Sequence, residues 1–253
     1  MNKFNYFNEM PVKSGKKPNT WFETSIRPLG VTIKNDFLVE LTMQNSRIIN
    51  QSINENESYN ANFTLKIYEY YKTKNNGVFP QVGELAKEPV TDLIRMIDLE
   101  NSTNIWRYKN KRPFLKNMVN YIINEDSRFW TRLKDGDDNL VDDLRKSSGA
   151  ETDGPKSLAS KICKYFSEIF QYGDNYYIND YVVRHVLPYY LNYYGLLEDG
   201  MSRTKFDSIE YKELHILLDK LKNKLGNALK RDQIDHIMWY CYRYENSEAE
   251  EKL

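Results

Sequence analysis

Asp180 is the carboxylate that the sequence places best for chemistry. It begins the segment DYVVRHVL, in which Val183, Val186 and Leu187 fall on one face at helical spacing. The carboxylate therefore stands at the entrance of an apolar helix, where it can stabilise a developing positive charge or orient a nucleophile. Aspartate is also a preferred helix N-cap, and this is the structural alternative for Asp180.

A second candidate site is a basic and aromatic stretch between residues 101 and 118, which contains no acidic residue. Basic side chains interleaved with aromatic rings suit a surface that follows a phosphate backbone and stacks on bases. The alternative is a solvated loop whose rings fill the core. The residues of this stretch assigned to nucleic-acid binding are Trp106, Arg107, Lys109, Lys111, Arg112 and Lys116.

The overall composition narrows the class of protein. The 253 residues include 36 basic and 36 acidic side chains, so net charge indicates no partner. The two cysteines are too few for a four-cysteine cluster, and the three histidines lack metal-ligand spacing, so we expect no cofactor and no bound metal. Because no apolar run approaches the ~20 residues that span a bilayer, we expect a cytoplasmic protein without a membrane partner.

Apolar residues recur at helical spacing along most of the chain and predict an all-α protein. Prolines 89, 113 and 155 stand near the starts of three of the expected helices. Helices are expected over 33–53, 63–71, 89–97, 113–123, 140–147, 155–169, 180–194, 214–225 and 234–240. The predicted organisation is an irregular arm over 1–30, closely packed helical subdomains over 31–135 and 136–246, and a frayed tail over 247–253.

The segment from residue 144 to 194 carries a recognisable order of motifs. A turn with Gly154 leads into a helix through Gly154-Pro155-Lys156, and a later loop ends in the apolar step Tyr177-Ile178 before Asp180 and its VVRHVL helix. This order resembles the helix-hairpin-helix DNA glycosylases. Because four clustered cysteines are absent, the resemblance is to the cluster-free, 8-oxoguanine-glycosylase-like branch of that superfamily.

The resemblance implies a role for each matched residue. Asp180 would assist the departure of a base, and Lys156 would be the covalent nucleophile of members with lyase activity. The alanine that follows this lysine comes one residue late here, at Ala159, so Lys161 is the alternative nucleophile. The backbone at Gly154 and the side chain of Arg184 would contact nucleic acid.

Three functional hypotheses follow. The first is a DNA N-glycosylase, with or without lyase activity, that flips a modified base into a pocket near Asp180. The second is a catalytically inactive member of the same fold that binds nucleic acid or a protein partner, for example as an accessory or defence protein. The third is a helical scaffold unrelated to glycosylases. Structural alternatives also exist for single residues: a solvated face for Lys161 and Lys164, and a packing role for His185.

Overall fold

The computed structural model describes residues 31–34, 38–55, 87–100, 103, 105, 109–150, 155–198 and 201–251. The predicted arm over 1–30 and the predicted helix over 63–71 lie outside these residues. The described residues are predominantly helical, as expected. Their α-helices are α1 (Met43–Glu55), α2 (Lys87–Glu100), α3 (Arg112–Ile123), α4 (Phe129–Asp135), α5 (Asn139–Ser147), α6 (Lys156–Ile169), α7 (Tyr181–Tyr193), α8 (Arg203–Ser208), α9 (Tyr211–Lys224) and α10 (Arg231–Glu251).

The remaining regular elements are short. Strands β1 (Ile33–Lys34) and β2 (Leu38–Val39) pair antiparallel, with Ile33 opposite Val39. Two 3₁₀ turns, Lys109–Lys111 and Glu125–Ser127, precede α3 and α4.

Several helix boundaries lie at prolines and glycines, and the prolines stand where the sequence predicted helix starts. Pro113 occupies the first turn of α3, and Pro155 immediately precedes α6. Gly136 ends α4 with φ +70° and Gly226 follows α9 with φ +66°, both in the left-handed conformation that glycine adopts without steric cost. At the C-terminus, α10 continues to Glu251, into the segment for which fraying was expected.

The predicted helix over 33–53 is wrong in its first part, because residues 33–34 and 38–39 form the two strands and α1 begins only at Met43. Thr42 ends the non-helical segment by accepting a hydrogen bond on its hydroxyl from the backbone N–H of Asn45, at 3.2 Å, as an N-cap does. The Asn45 side chain then binds back to the backbone of Thr32 and Glu40, at 2.8–3.2 Å. These hydrogen bonds satisfy backbone groups of the two residues that flank the strands, Thr32 before β1 and Glu40 after β2.

The described chain falls into two compact units. Unit 1 comprises residues 31–34, 38–55, 181–198, 201–209 and 216–251. Unit 2 comprises residues 87–100, 103, 105, 109–150, 155–180 and 210–215. The predicted division between residues 135 and 136 falls inside unit 2, and α9 contributes its first five residues to unit 2 and the rest to unit 1.

In unit 1, α10 packs against α1, α7 and β2, and α7 also contacts α8. Tyr190 of α7 is 1% exposed and donates a hydrogen bond of 2.6 Å from its hydroxyl to the carbonyl of Val39. This bond satisfies the phenol in an apolar interior and ties β2 to α7.

In unit 2, α2 packs on α3 and α6, and α5 packs on α3 and α6. Their facing sides form one apolar core that includes Ile94, Leu115 and Ile162, all at most 2% exposed. Aromatic rings join α4 to α6, where Trp130 stacks on Phe166 with centroids 5.6 Å apart. This core holds α6, which carries the candidate lysines.

Candidate functional site

The candidate site is built from α6 and the extended segment, residues 172–180, that returns beside it. Ser167 donates its hydroxyl hydrogen to the carbonyl of Gly173 at 2.8 Å, and Ser160, one heptad earlier, accepts the backbone N–H of Asn179 at 2.9 Å. Both serines are fully buried. The side chains of α6 therefore replace the backbone partners that an extended segment lacks, and they fix its course.

A tyrosine holds the middle of the returning segment. The hydroxyl of Tyr211 accepts the backbone N–H of Tyr177 at 2.8 Å and donates to the carbonyl of the same residue at 3.3 Å. Burial raises the pKa of Tyr211 well above its ordinary value, so the phenol stays protonated and able to donate. The segment is thus fixed before it reaches Asp180.

Asp180 and Lys161 come together at the end of this segment. The Lys161 Nζ lies 3.8 Å from Oδ2 of Asp180, and the two side chains are 10% and 22% exposed. Asp180 immediately precedes Tyr181, the first residue of α7, so it also occupies the position of a helix N-cap. The site therefore pairs one amine with one carboxylate in a largely enclosed setting.

The prediction of a solvated face for Lys161 and Lys164 is wrong, because both lysines are buried. The Nζ of Lys164 lies 2.6 Å from Asp174 and 2.9 Å from Glu168. Although burial alone lowers the pKa of Lys164, the charges of Glu168 and Asp174 outweigh it and raise that pKa. A buried lysine is stable only when such partners are present, and the sequence pattern of one helix does not reveal partners on a returning segment.

Lys156, the first predicted nucleophile, is the first residue of α6 and is partly exposed. Its charge acts on Glu210. Partial burial alone would raise the pKa of Glu210, but a hydrogen bond with Asp142 and the charges of Arg145, Lys156 and Lys146 lower it. Of the two candidate lysines, Lys161 is the one paired with Asp180.

The basic stretch is only partly described. Lys109, Arg112 and Lys116 are exposed and line one cavity of unit 2, whereas Lys111 is exposed but does not line it. Trp106, Arg107 and Gly154 lie outside the described residues. Arg184 lies in α7 of unit 1 and is partly exposed.

The histidines make local contacts. His185 is buried and stacks on Tyr181, with ring centroids 5.4 Å apart, which confirms its packing role. His236 contacts Asn50 at 2.6 Å, and the Nδ1 atom of His215 contacts Oδ1 of Asp138. Among the described residues, no three histidine, cysteine, aspartate or glutamate side chains are grouped to hold a metal ion.

Several residues that build the site were missed at the sequence level. Ser160 and Ser167 are the clearest, since polar residues seven apart on the buried side of an apolar helix need partners. That spacing is a usable signal. Tyr211 carried no local signal, because its partner Tyr177 is 34 residues away in the chain.

Comparisons of the chain with protein-family models, with curated proteins and with solved structures found no match. Within the described residues, no helix is long and apolar enough to cross a membrane.

Proposed function

We propose that this chain cleaves the N-glycosidic bond of a modified base in DNA, with Asp180 and Lys161 as its reacting pair. The observation that carries the proposal is the ion pair of 3.8 Å between Lys161 Nζ and Asp180 Oδ2, in which a largely buried amine faces a largely buried carboxylate. An amine and a carboxylate at this separation are the two groups that base excision with covalent catalysis requires.

The reaction assigns one task to each group. The Lys161 amine gives a proton to the Asp180 carboxylate, and its nitrogen then forms a bond to the sugar C1′. The C1′–N bond to the base breaks, and the base leaves with the electron pair and takes up the proton that Asp180 received, which returns Asp180 to its ionised form. The Lys161 nitrogen then loses a proton, and its lone pair forms the C1′=N bond as the C1′–O4′ bond of the sugar breaks. The ring oxygen takes up that proton, and the product is a Schiff base on Lys161. Asp180, when ionised, stabilises the positive charge that develops at the sugar.

Lys161 is favoured over Lys156 for this role by position. Lys161 faces Asp180, whereas the charge of Lys156 acts on Glu210. At 3.8 Å the Lys161 Nζ lies beyond hydrogen-bond distance of Asp180 Oδ2, so proton exchange requires the two groups to approach each other in the substrate complex.

The second candidate is a catalytically inactive protein of the same kind that binds nucleic acid or a protein partner. The low exposure of the Lys161–Asp180 pair favours it, since an enclosed ion pair can serve the fold alone. The two candidate functions predict different results for Asp180→Asn: the glycosylase loses base release, whereas the inactive protein has none to lose.

Base release from oligonucleotides that carry oxidised, deaminated, alkylated or abasic sites tests the proposal, with heat-alkali cleavage as the readout. We expect cleavage of at least one substrate by the wild-type protein and a loss of about 100-fold or more in Asp180→Asn. The matched control is Asp174→Asn, which removes the carboxylate paired with Lys164. Equal activity of Asp180→Asn and wild type would rule out the proposed chemistry.

Borohydride trapping locates the nucleophile. We predict a covalent protein–DNA adduct that is absent in Lys161→Gln and retained in both Lys156→Gln and Lys164→Gln. Lys164 is the matched control because it lies one turn further along α6 and is equally buried. An adduct that persists in Lys161→Gln and disappears in Lys156→Gln would reverse the assignment of the nucleophile.

A further inference from the structure

Two helices of unit 2 border a cavity of about 700 Å³ that the proposed chemistry does not use. Its size is within the range of small-molecule and cofactor sites, roughly 300–1,000 Å³. On one side, α2 contributes Lys87, Thr91 and Arg95, and on the other side α3 contributes Arg112, Lys116 and Asn120. Each set follows the i, i+4, i+8 spacing of one helical ridge, so two polar ridges face each other.

All the charged side chains that line the cavity, among the described residues, are basic. Five basic residues line it: Lys87, Arg95, Lys109, Arg112 and Lys116. None of the described residues that line it is acidic, and Asp92 of α2 lies 4.0 Å from Arg95. Within the described part of the chain, neither Lys109 nor Lys116 forms an ion pair. Five like charges on one cavity, with no acidic residue among the described lining, attract an anion.

The floor of the cavity is apolar. Ile94, Leu115 and Val119 contribute to its lining and are at most 2% exposed, and the amides of Asn117 and Asn120 stand beside them. A cationic rim over an apolar floor with amide groups matches a nucleotide, whose phosphate is anionic and whose base has an apolar face and polar edges.

We propose that this cavity binds a nucleotide unit of a single-stranded nucleic acid, with its phosphates on Lys109, Arg112 and Lys116 and its base against the apolar floor. The site goes beyond the proposed glycosidic chemistry, because binding here does not require Asp180 or Lys161. It lies on helices that contact the site helix, since α2 packs against both α3 and α6. The cavity supplies affinity, and the reacting pair supplies chemistry.

Binding of a fluorescent single-stranded oligonucleotide tests the site. In the double variant Lys109→Gln/Lys116→Gln, we expect roughly tenfold weaker binding and a slope of log affinity against log salt that is smaller by about 1.4, the value for two lost phosphate contacts. The matched control is Lys134→Gln/Lys212→Gln, which removes the same charge from exposed positions of unit 2. Equal losses in the two double variants, or no loss in the first, would overturn the proposal.

Lysine footprinting on the wild-type protein removes any dependence on how the variants fold. We expect the oligonucleotide to protect Lys109 and Lys116 from an amine-reactive reagent while Lys134 and Lys212 stay reactive, and uniform reactivity would overturn the proposal. Free nucleoside triphosphate as a competitor distinguishes the sources of the nucleotide. Displacement only by unlabelled oligonucleotide supports binding of a strand. Displacement by free triphosphate at a one-to-one ratio overturns the assignment to a strand and identifies a free nucleotide instead, and displacement by neither overturns the site altogether.

The two proposals fail separately. Binding is measured in the Asp180→Asn background, where base release is expected to be slower by about 100-fold or more. If Asp180→Asn binds the oligonucleotide but the wild-type protein cleaves no substrate, the binding site stands and the glycosylase proposal is rejected. If the double variant Lys109→Gln/Lys116→Gln retains both base release and wild-type binding, the binding site is rejected and the glycosylase proposal stands.

Discussion

Lys161 and Lys164 lie on successive turns of α6, and each pairs with an aspartate of the segment that returns beside the helix. Asp180 and Asp174 are those partners, at 3.8 and 2.6 Å. The looser pair is the one with the candidate chemistry, and the tighter pair has a second carboxylate, Glu168. Lys164 lies within 2.9 Å of two carboxylates, whereas the carboxylate of Asp180 lies 3.8 Å from Lys161. This difference makes Lys164 a structural reference for Lys161.

Asp137, another carboxylate of unit 2, gives a prediction about how the stability of the fold depends on pH. Burial alone would raise the pKa of Asp137, but hydrogen bonds from Arg132, at 2.7 Å, and from Asn139 outweigh it and lower the pKa. Because the folded-state pKa lies below the unfolded value of about 3.9, Asp137 stabilises the fold above roughly pH 4, and this contribution is lost as the pH falls.

The free energy of unfolding, measured from pH 2 to pH 6 in wild type and Asp137→Asn, checks this sign. We predict that the variant is less stable at pH 6 by about 1 kcal/mol at most, because the pair is partly exposed, and that the difference vanishes toward pH 2. A difference that grows as the pH falls would contradict the assignment.

At the scale of elements, the turn after α4 is constrained by two effects at once. Gly136 has φ +70°, and a Cβ atom on it would lie 3.3 Å from the Cβ and Cγ of Asn175, which belongs to the returning segment. Gly226 has a similar φ of +66° after α9, but a Cβ atom there would meet nothing within 4 Å. The two glycines therefore separate backbone strain from close packing.

Alanine substitutions at the two glycines test this separation by urea denaturation. We predict that Gly226→Ala costs about 1 kcal/mol from left-handed strain alone. Gly136→Ala should cost that amount plus roughly 1–3 kcal/mol for the close contact with Asn175. Equal costs would mean that the returning segment moves away from the turn without loss.

The elements also show where the sequence was informative. Prolines and glycines marked the ends of α3, α4, α6 and α9, because their backbone preferences are local. The strands before α1 were taken for helix because their apolar residues fit both periodicities over a short run. Thr42 was the available signal, since a threonine that caps a helix marks where it begins.

At the scale of the whole molecule, the helical class followed from periodicity, whereas the grouping of residues into units did not. Unit 2 joins residues 210–215 to a core formed between residues 87 and 180, and Tyr211 is buried in that core. Such contacts depend on packing over long chain separations, which local pattern does not encode. For the same reason, Asp180 was identifiable as a candidate, but its pairing with Lys161 required the three-dimensional structure.

For the basic stretch between residues 101 and 118, the sequence likewise revealed the charge but not where the charged side chains lie in the fold. Its charge was evident from the sequence, and three of its lysine and arginine side chains line the cavity between α2 and α3. The contributions of Lys87 and Arg95 were not evident, because they come from a different helix with acidic neighbours in the chain, Glu88 and Asp92. Placement on a helix face, rather than local net charge, decides which cations act together.

The most direct test of the Lys161–Asp180 pair compares activity with stability in one set of variants. Single-turnover release of the base and the free energy of unfolding are measured for wild type, Asp180→Asn and Asp174→Asn. We predict that Asp180→Asn loses about 100-fold or more of the rate, while Asp174→Asn retains the rate and loses at least as much stability. A loss of stability in Asp180→Asn with an unchanged rate of base release would contradict the assignment and leave the pair a structural ion pair.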